Sequence, residues 1–258
     1  GPRSTGGRTQ LQALRAIART MSMELEQVDW ASLRYQHTAA IRAKLAESYS
    51  PATANKMLSA LRQTLKHAWR LGQIDVDDYM KAADLEPITG HTEPAGRYLS
   101  QDEIRRIFAA CRADPHSGVR DTAIIALMYI ALLRREEVVR LDLSSYNTET
   151  GELRVIGKRN RERTVYVTNG ARDALHAWLA VRGSTPGALF PRINKSGRVT
   201  SYERMSPQAV YNIIDKRSKE AGVANNSPHN FRRTGASEYL NITDTLTVAN
   251  IGGWSSVQ

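Results

Sequence analysis

The stretch Ser50–Gly72, "SPATANKMLSALRQTLKHAWRLG", decides the fold class of the first part of the chain. Ser50 is a good helix N-cap, Pro51 suits the first helical position, and Gly72 is typical of a helix end. Apolar residues recur between them at the spacing of one helical face: Met57, Leu58, Leu61, Leu65 and Trp69. The pattern therefore predicts a long amphipathic helix within a helical N-terminal region.

Two further amphipathic segments precede this helix. One is marked by apolar residues at Leu11, Leu14, Ile17 and Met21, and the other runs from Tyr35 to Tyr49. After the helix, the polar stretch "DLEPITGHTEPAGR" contains two prolines and two glycines, which is typical of a linker. We expect an all-helical domain over residues 3–84 and a linker over residues 85–97.

A second domain is predicted over residues 98–258. The sequence "SQDE" at Ser100 forms a capping box that starts a helix over Gln101–Arg112, and a very apolar helix follows over Asp121–Leu133. The runs "ELRVIGK" and "RTVYV" flank the polar tip "RNRE" and predict a β-hairpin. Further helices are predicted to begin near Gly170, Ser206 and Pro228. The expected fold is mainly α, with an α-rich second domain that carries a small antiparallel sheet.

Composition and charge restrict the function. With 24% charged and 41% hydrophobic residues the chain is typical of a soluble globular protein, and no apolar run is long enough to span a membrane. The single cysteine, Cys111, fits a reducing cytoplasm, where we expect the protein to be located. The net charge of +10, from 36 basic and 26 acidic residues, favours a polyanionic partner such as nucleic acid.

The sequence predicts no cofactor. The six histidines have no metal-ligand spacing, so no metal site is expected. Neither GxxxxGK[ST] nor GxGxxG occurs, so there is no recognisable cradle for a nucleotide.

Four stretches carry candidate chemistry, and each also has a plain structural interpretation. His229 and Arg232 lie three residues apart in "SPHNFRRTGAS", on one face of a predicted helix, where they could equally be solvated surface residues. Arg134 and Glu137 follow the apolar helix. The plain interpretation here is that arginines at a helix C-terminus interact favourably with the helix dipole. The hairpin tip is basic and could contact phosphates or simply be a solvated turn; its residues are Lys158, Arg159, Arg161 and Arg163. Trp254 follows two glycines and is either core packing or a hydrogen-bond donor.

Taken in order, these motifs resemble the tyrosine recombinase (phage integrase) family. That family has an arginine in a "GLRxxE" turn, a lysine in a "GK" hairpin, "HxxR", a histidine or tryptophan after glycine, and then a nucleophilic tyrosine. The matching positions here are Arg134 with Glu137, Lys158, His229 with Arg232, and Trp254. Leu132 stands where the family usually has glycine, which predicts a turn of different shape. Glu136 and Arg159 also depart from the family pattern.

The resemblance implies a site-specific recombinase that cleaves and rejoins duplex DNA through a 3′-phosphotyrosyl link, without metal or ATP. Arg134, Arg232 and Trp254 would bind the phosphate oxygens, His229 would assist proton transfer, and Lys158 would protonate the leaving oxygen. Glu137 would orient its neighbours. None of the ten tyrosines follows Trp254, so we expect a chain truncated before its nucleophile and inactive for cleavage.

The same resemblance implies the partners. The two domains would clamp a specific DNA core site, with backbone contacts from Lys56, Arg62, Lys66, Arg159 and Arg161. Four protomers would act on two sites. Two alternatives remain open: a type IB topoisomerase-like enzyme, which shares this chemistry, and a non-catalytic DNA-binding protein derived from a recombinase.

Overall fold

The structure, a computed structural model, describes residues 5–90, 96–157 and 160–254. The chain divides into two compact units, Gly1–Pro94 and Ala95–Gln258. Both units are built mainly from helices, as the sequence predicted, and the strands form small antiparallel pairs only. In the described ranges no helix is both long enough and apolar enough to cross a membrane.

The first unit is helical throughout its described part. Its helices and two 3₁₀ turns are α1 (Thr5–Thr20), Leu25–Gln27, Trp30–Ser32, α2 (Tyr35–Ser48), α3 (Pro51–Arg70) and α4 (Val76–Ala83). Helix α3 begins at the proline and ends two residues before Gly72, which adopts a positive φ of 71°. Its buried face includes Leu58, Leu61 and Leu65, the positions that the periodicity selected. Leu85 and Ile88 are also buried in this unit's core, although they lie in the predicted linker.

The second unit packs other helices around one apolar helix and also contains two hairpins. Its elements are α5 (Gln101–Arg112), α6 (Gly118–Tyr129), α7 (Arg135–Val138), β1 (Glu152–Ile156), β2 (Glu162–Tyr166), α8 (Asn169–Arg182), β3 (Pro191–Ile193), β4 (Val199–Arg204), α9 (Pro207–Glu220), α10 (Pro228–Leu240) and α11 (Thr245–Gly252). Helix α6 packs against α5, α8 and α10. Residues 123–128 of α6 are all buried, which explains why this helix is apolar on every side.

The capping box predicted at Ser100 is confirmed. The Ser100 hydroxyl accepts from the Glu103 backbone N–H at 3.2 Å, and the Glu103 carboxylate accepts from the Ser100 backbone N–H at 2.9 Å. Helix α5 has the predicted bounds. Near its end lies Cys111, which is fully buried; burial raises the pKa of its thiol to about 12.

One prediction about this unit was wrong in part, and the set of predicted strands was incomplete. The apolar helix was expected to extend to Leu133, but α6 ends at Tyr129 because the chain then turns through Leu132, which has a positive φ of 51°. The hairpin β1–β2 pairs as predicted, with Leu153 opposite Val165. A second hairpin, β3–β4, was missed.

A buried ion network ties α9 to α6. The guanidinium of Arg217 is inaccessible to solvent and donates to Asp121 at 2.6 and 2.8 Å, to Asp114 at 2.7 Å and to Glu220 at 2.8 Å. Because a buried charge is tolerated only when it is paired and hydrogen-bonded, these carboxylates account for a charged side chain inside the core.

Candidate active site

The turn that follows α6 places Arg134 at the start of a short helix. Leu132 adopts a left-handed backbone conformation, which a residue with a Cβ enters only at some cost in energy, and this redirects the chain. Arg134 is then the N-cap residue of α7. Its backbone N–H donates to the Glu137 carboxylate at 2.8 Å, which fixes the first turn of the helix.

Glu137 is the shared acceptor of this region. Its side chain is only 3% exposed, and it accepts from Arg134 Nη1 at 2.8 Å and from both terminal nitrogens of Arg163 at 2.9 Å. Burial alone raises the pKa of this carboxyl, but the hydrogen bonds from Arg163 and from Arg134 outweigh burial and bring the pKa below its ordinary value. Glu137 is therefore ionised at neutral pH and holds two arginines.

Arg232 lies beside this group on α10, almost entirely buried. Its terminal nitrogens donate to the backbone carbonyls of Leu132 and Gly252, and Nη1 lies 4.0 Å from Glu137 Oε2. Burial, followed by the charge of Arg134, lowers the pKa of Arg232 to about 9. The side chain remains a cation at neutral pH. We call Arg134, Glu137, Arg163 and Arg232 the arginine cluster.

Trp254 covers Arg232. The centre of its ring lies 4.1 Å from the Arg232 guanidinium carbon, which is cation–π geometry. Helix α11 ends at Gly252, and Gly253 follows with a positive φ of 62°. A Cβ on Gly252 would lie 2.0 Å from the Trp254 ring, so the ring occupies space that only glycine leaves open. Arg134 Nη2 also donates to the Gly253 carbonyl at 3.2 Å.

His229 lies in the first turn of α10, one turn before Arg232, and is exposed to solvent. Desolvation is the leading cause that lowers the pKa of its imidazole, and the charges of Arg232, Arg233 and Arg134 lower it further. Because the ordinary pKa of histidine is near 6.5, this ring is neutral at pH 7 and can accept or relay a proton.

The structure brings together most of the residues that the sequence singled out in the second unit. Arg134 and Arg232 both approach Glu137, and Trp254 stacks on Arg232. His229 is close enough for the charges of Arg134 and Arg232 to lower the pKa of its imidazole. Lys158 and Arg159 lie outside the described residues.

The remaining predicted DNA contacts differ in their surroundings. Arg161 is exposed near the hairpin tip, and Lys56 is exposed on α3. Lys66 is half-buried. Arg62 donates to the backbone carbonyls of Ala83 and Leu85 in its own unit, so its guanidinium also has a structural role. The assignment of these residues to DNA binding stays a prediction.

Arg163 is the residue whose role the sequence interpretation missed. It was grouped with the basic hairpin tip, but it lies on strand β2, where its side chain is 13% exposed and faces Glu137. The available signal was alternation. Arg163 is two residues before Val165, which is buried, and it pairs with buried Val155.

The arginine cluster suits an anion. Within it, the charges of Arg134, Arg163 and Arg232 exceed the single negative charge of Glu137. Guanidiniums are rigid donors that match phosphate oxygens, and such groups stabilise charge that develops in a transition state. Among the described residues there is no group of three histidine, cysteine or acidic side chains that could hold a metal ion.

Comparison with known proteins agrees with the motif pattern. Residues 97–258 match the family described as "Phage integrase family". The tyrosine recombinase XerC of Azotobacter vinelandii is 32% identical over 225 residues, which cover 84% of this chain and 70% of that protein. XerC of Haemophilus influenzae is 31% identical over 220 residues, which cover 80% of this chain and 68% of that protein.

Solved structures share the fold. A lambda integrase tetramer bound to a Holliday junction superposes with a TM-score of 0.72 at 16% identity, covering 99% of this chain and 73% of that one. A post-cleavage complex of the XerH site-specific recombinase on a palindromic difH substrate gives a TM-score of 0.70 at 18% identity, covering 97% and 73%. At these identities the likeness is one of fold.

Proposed function

The chain belongs to the phage integrase family, and from this premise we propose that it is a site-specific recombinase that cleaves and rejoins DNA through a 3′-phosphotyrosyl intermediate. The observation that carries the proposal is the convergence of Arg134 and Arg232, which lie far apart in the sequence, on the buried carboxylate of Glu137, with Trp254 stacked on Arg232. A binding module would have little use for so many cations held at one point, because their mutual repulsion must be offset.

In this proposal the arginines neutralise the scissile phosphate. Attack on a phosphodiester places negative charge on its non-bridging oxygens, and Arg134 and Arg232 would bind those oxygens. Arg134 is half-exposed and accessible, whereas Arg232 donates to backbone carbonyls beneath Trp254. A phosphate that reaches Arg232 must therefore displace the Trp254 ring, whose indole N–H could then donate to it. His229, neutral at pH 7, would handle the proton.

Lys158 and the nucleophile complete the proposed reaction. By family resemblance, Lys158 would protonate the leaving 5′ oxygen and a tyrosine would attack the scissile phosphate. Tyr239 is a poor candidate for that attack. Desolvation, followed by the charge of Glu238, raises the pKa of its phenol, so less of the nucleophilic phenolate is present at neutral pH.

The proposed partner is duplex DNA that carries a specific core site, bound by a homotetramer across two sites. The net charge of +10 supports a polyanionic ligand. Structures that share this fold are described as a tetramer on a Holliday junction and as a dimer on a core site. We propose the tetramer as the assembly that acts on two sites. Because the substrate is cellular DNA, the proposal places the protein in the cytoplasm.

Strand cleavage tests the proposal. A polypeptide continued past Gln258 along its own reading frame is incubated with a nicked duplex of its core site, and covalent complexes are detected on denaturing gels. We expect a complex that resists chelator. Arg232→Ala should abolish it while DNA affinity stays within about threefold, because Arg232 is assigned to the transition state. Arg192→Ala, an exposed arginine on β3, is the control and should cleave normally.

Two other outcomes would decide against the proposal. A protein that binds the core site but forms no covalent complex would be a DNA-binding derivative of a recombinase. A protein that relaxes plasmids lacking any core site would act as a topoisomerase.

For the 258-residue chain, we expect DNA affinity to fall with salt with a log–log slope of several units, since each phosphate contact releases counterions.

A further inference from the structure

We propose that Arg163 is a positioning residue for the strand-transfer reaction, holding the Arg134 turn, the basic hairpin and the Trp254 segment in one arrangement. The inference rests on the proposed function and adds to it a residue outside the family motif. Arg163 is on neither the hairpin tip nor a helix that carries a motif residue. Its contacts nevertheless reach Glu137 on α7 and Ile251 on α11.

Arg163 uses its whole guanidinium inside the protein. Nη1 and Nη2 donate to the two carboxylate oxygens of Glu137, each at 2.9 Å, and Nε donates to the Ile251 carbonyl at 2.9 Å. With every nitrogen engaged and the side chain 13% exposed, Arg163 is poorly placed to contact DNA phosphates itself. It acts through Glu137 and Ile251.

Two glycines that pack close to Arg163 in space explain why its contacts matter for the reaction. A Cβ on Gly253 would lie 2.9 Å from Arg163 Nη1, and one on Gly157 would lie 3.2 Å from Glu137 Oε1 and 3.6 Å from Arg163 Nη1. Gly157 directly precedes Lys158, and Gly253 directly precedes Trp254. The Arg163–Glu137 pair is thus enclosed by the residues next to two predicted catalytic side chains.

Glu137 also connects the Arg163–Glu137 pair to a third predicted catalytic side chain, Arg134. The same carboxylate accepts from the backbone and side chain of Arg134, so its position sets that of Arg134. The charged groups that face it are Arg134 on α7, Arg163 on β2 and Arg232 on α10. Without Arg163, Glu137 would lose its bidentate partner, and α11 would lose its link to β2 through Ile251.

Lysine cannot replace this arrangement. An ammonium is a point charge, whereas the guanidinium presents a planar fork that meets both carboxylate oxygens and still has Nε for a carbonyl. Arg163→Lys therefore preserves charge and approximate size but removes the three-way link. Arg154→Lys is a matched control, because Arg154 lies on the opposite strand of the same hairpin with an exposed side chain that bonds only the Ser144 carbonyl among described residues.

The first measurement needs no catalysis. Acrylamide quenching of Trp254 in the 258-residue chain is isolated by subtracting the signal of a Trp254→Phe variant in each background. We expect Arg163→Lys to make Trp254 more accessible to the quencher, since the segment from Ile251 to Trp254 is no longer held against β2. Arg154→Lys should leave the quenching unchanged. Circular dichroism sets a temperature at which all variants are folded.

The second measurement is single-turnover cleavage by the continued polypeptide. Arg163→Lys should cleave about 10- to 100-fold more slowly with DNA affinity within about threefold, because misplacement of a reacting group affects the rate more than binding. The acid limb of its rate against pH should move to higher pH, since hydrogen bonds from Arg163 lower the pKa of Glu137. Arg154→Lys should match the wild type in both.

The outcomes separate the two proposals. If the wild type does not cleave, the proposed function fails, while the quenching comparison still tests the coupling between Arg163 and Trp254. If the wild type cleaves and Arg163→Lys cleaves equally fast, or if Trp254 quenching does not change, Arg163 has no positioning role. Slower cleavage together with a more accessible Trp254 supports the inference.

Discussion

Gly252→Ala should detach the Trp254 ring from Arg232 without disturbing the rest of the fold. The added Cβ would lie 2.0 Å from ring atom Cζ3 and 2.2 Å from Cε3, far inside contact distance. Gly252 is the last residue of α11 and has no positive φ, so alanine is compatible with its backbone. Because the obstacle is the end of a side chain, the ring is what moves.

Two energies of opposite sign follow from that movement. Alanine is favoured over glycine in a helix by up to about 1 kcal/mol. Loss of the ring from above Arg232 costs roughly 0.5–2 kcal/mol, the usual range for a cation–π contact. Because the two energies have opposite signs, the free energy of unfolding of the single variant does not by itself report the loss of the contact.

A double-mutant cycle separates the two energies. Unfolding in urea is measured for the wild type, Gly252→Ala, Trp254→Ala and the double variant. Without the tryptophan, Gly252→Ala should show only the helix gain, which gives a coupling energy of about 0.5–2 kcal/mol between the positions. Gly170→Ala is the control, because its Cβ would meet nothing within 4 Å, and it should show no coupling. Zero coupling at Gly252 would refute the stacked arrangement.

Two further variants test packing and acid sensitivity. Gly235→Ala should destabilise the second unit by about 3 kcal/mol, the upper range for overpacking, because its Cβ would lie 2.0 Å from the rigid Tyr129 carbonyl; the urea midpoint measures this, and a loss no larger than that of Gly170→Ala would contradict it. The hydrogen-bonded ion pair with Arg97, with help from the backbone of Ser100, lowers the pKa of Glu103 to about 2. Its stabilisation should therefore be complete above about pH 4.5 and lost as the pH falls towards 2. Glu103→Gln should be less stable than the wild type at pH 7, with a difference in Tm that shrinks on acidification; a constant difference would exclude this carboxyl as the cause.

Local signals in the sequence predicted much of the fold. Pro51 and the capping box at Ser100 act through nearby backbone groups, so the starts of α3 and α5 can be predicted without knowledge of the tertiary structure. The end of α6 could not be predicted in this way. Apolar residues continue to Leu133, and the turn at Leu132 is stabilised by contacts with α10, a hundred residues away, where Arg232 donates to its carbonyl.

Strand β4 and the role of Arg163 were missed for other reasons. Strand β4 is largely polar and only partly buried, so it lacks the alternation that indicates a strand. Arg163 was hidden by its neighbours, since a run of basic residues is typical of a solvated tip. The order of Arg134, His229, Arg232 and Trp254 was enough to suggest the family. Which groups share the Glu137 carboxylate depends on how β2 and α11 pack, which no local pattern encodes.

The burial of Cys111 makes the protein convenient for spectroscopy. Its side chain is fully enclosed and its thiol is protonated far above neutral pH, so maleimide reagents, which require an accessible thiolate, should leave it untouched. A cysteine introduced on each unit, at exposed positions such as Glu47 and Arg192, would be the site that reacts. Paired dyes at those positions would report the distance between the units in free protein and on DNA, with the native cysteine retained.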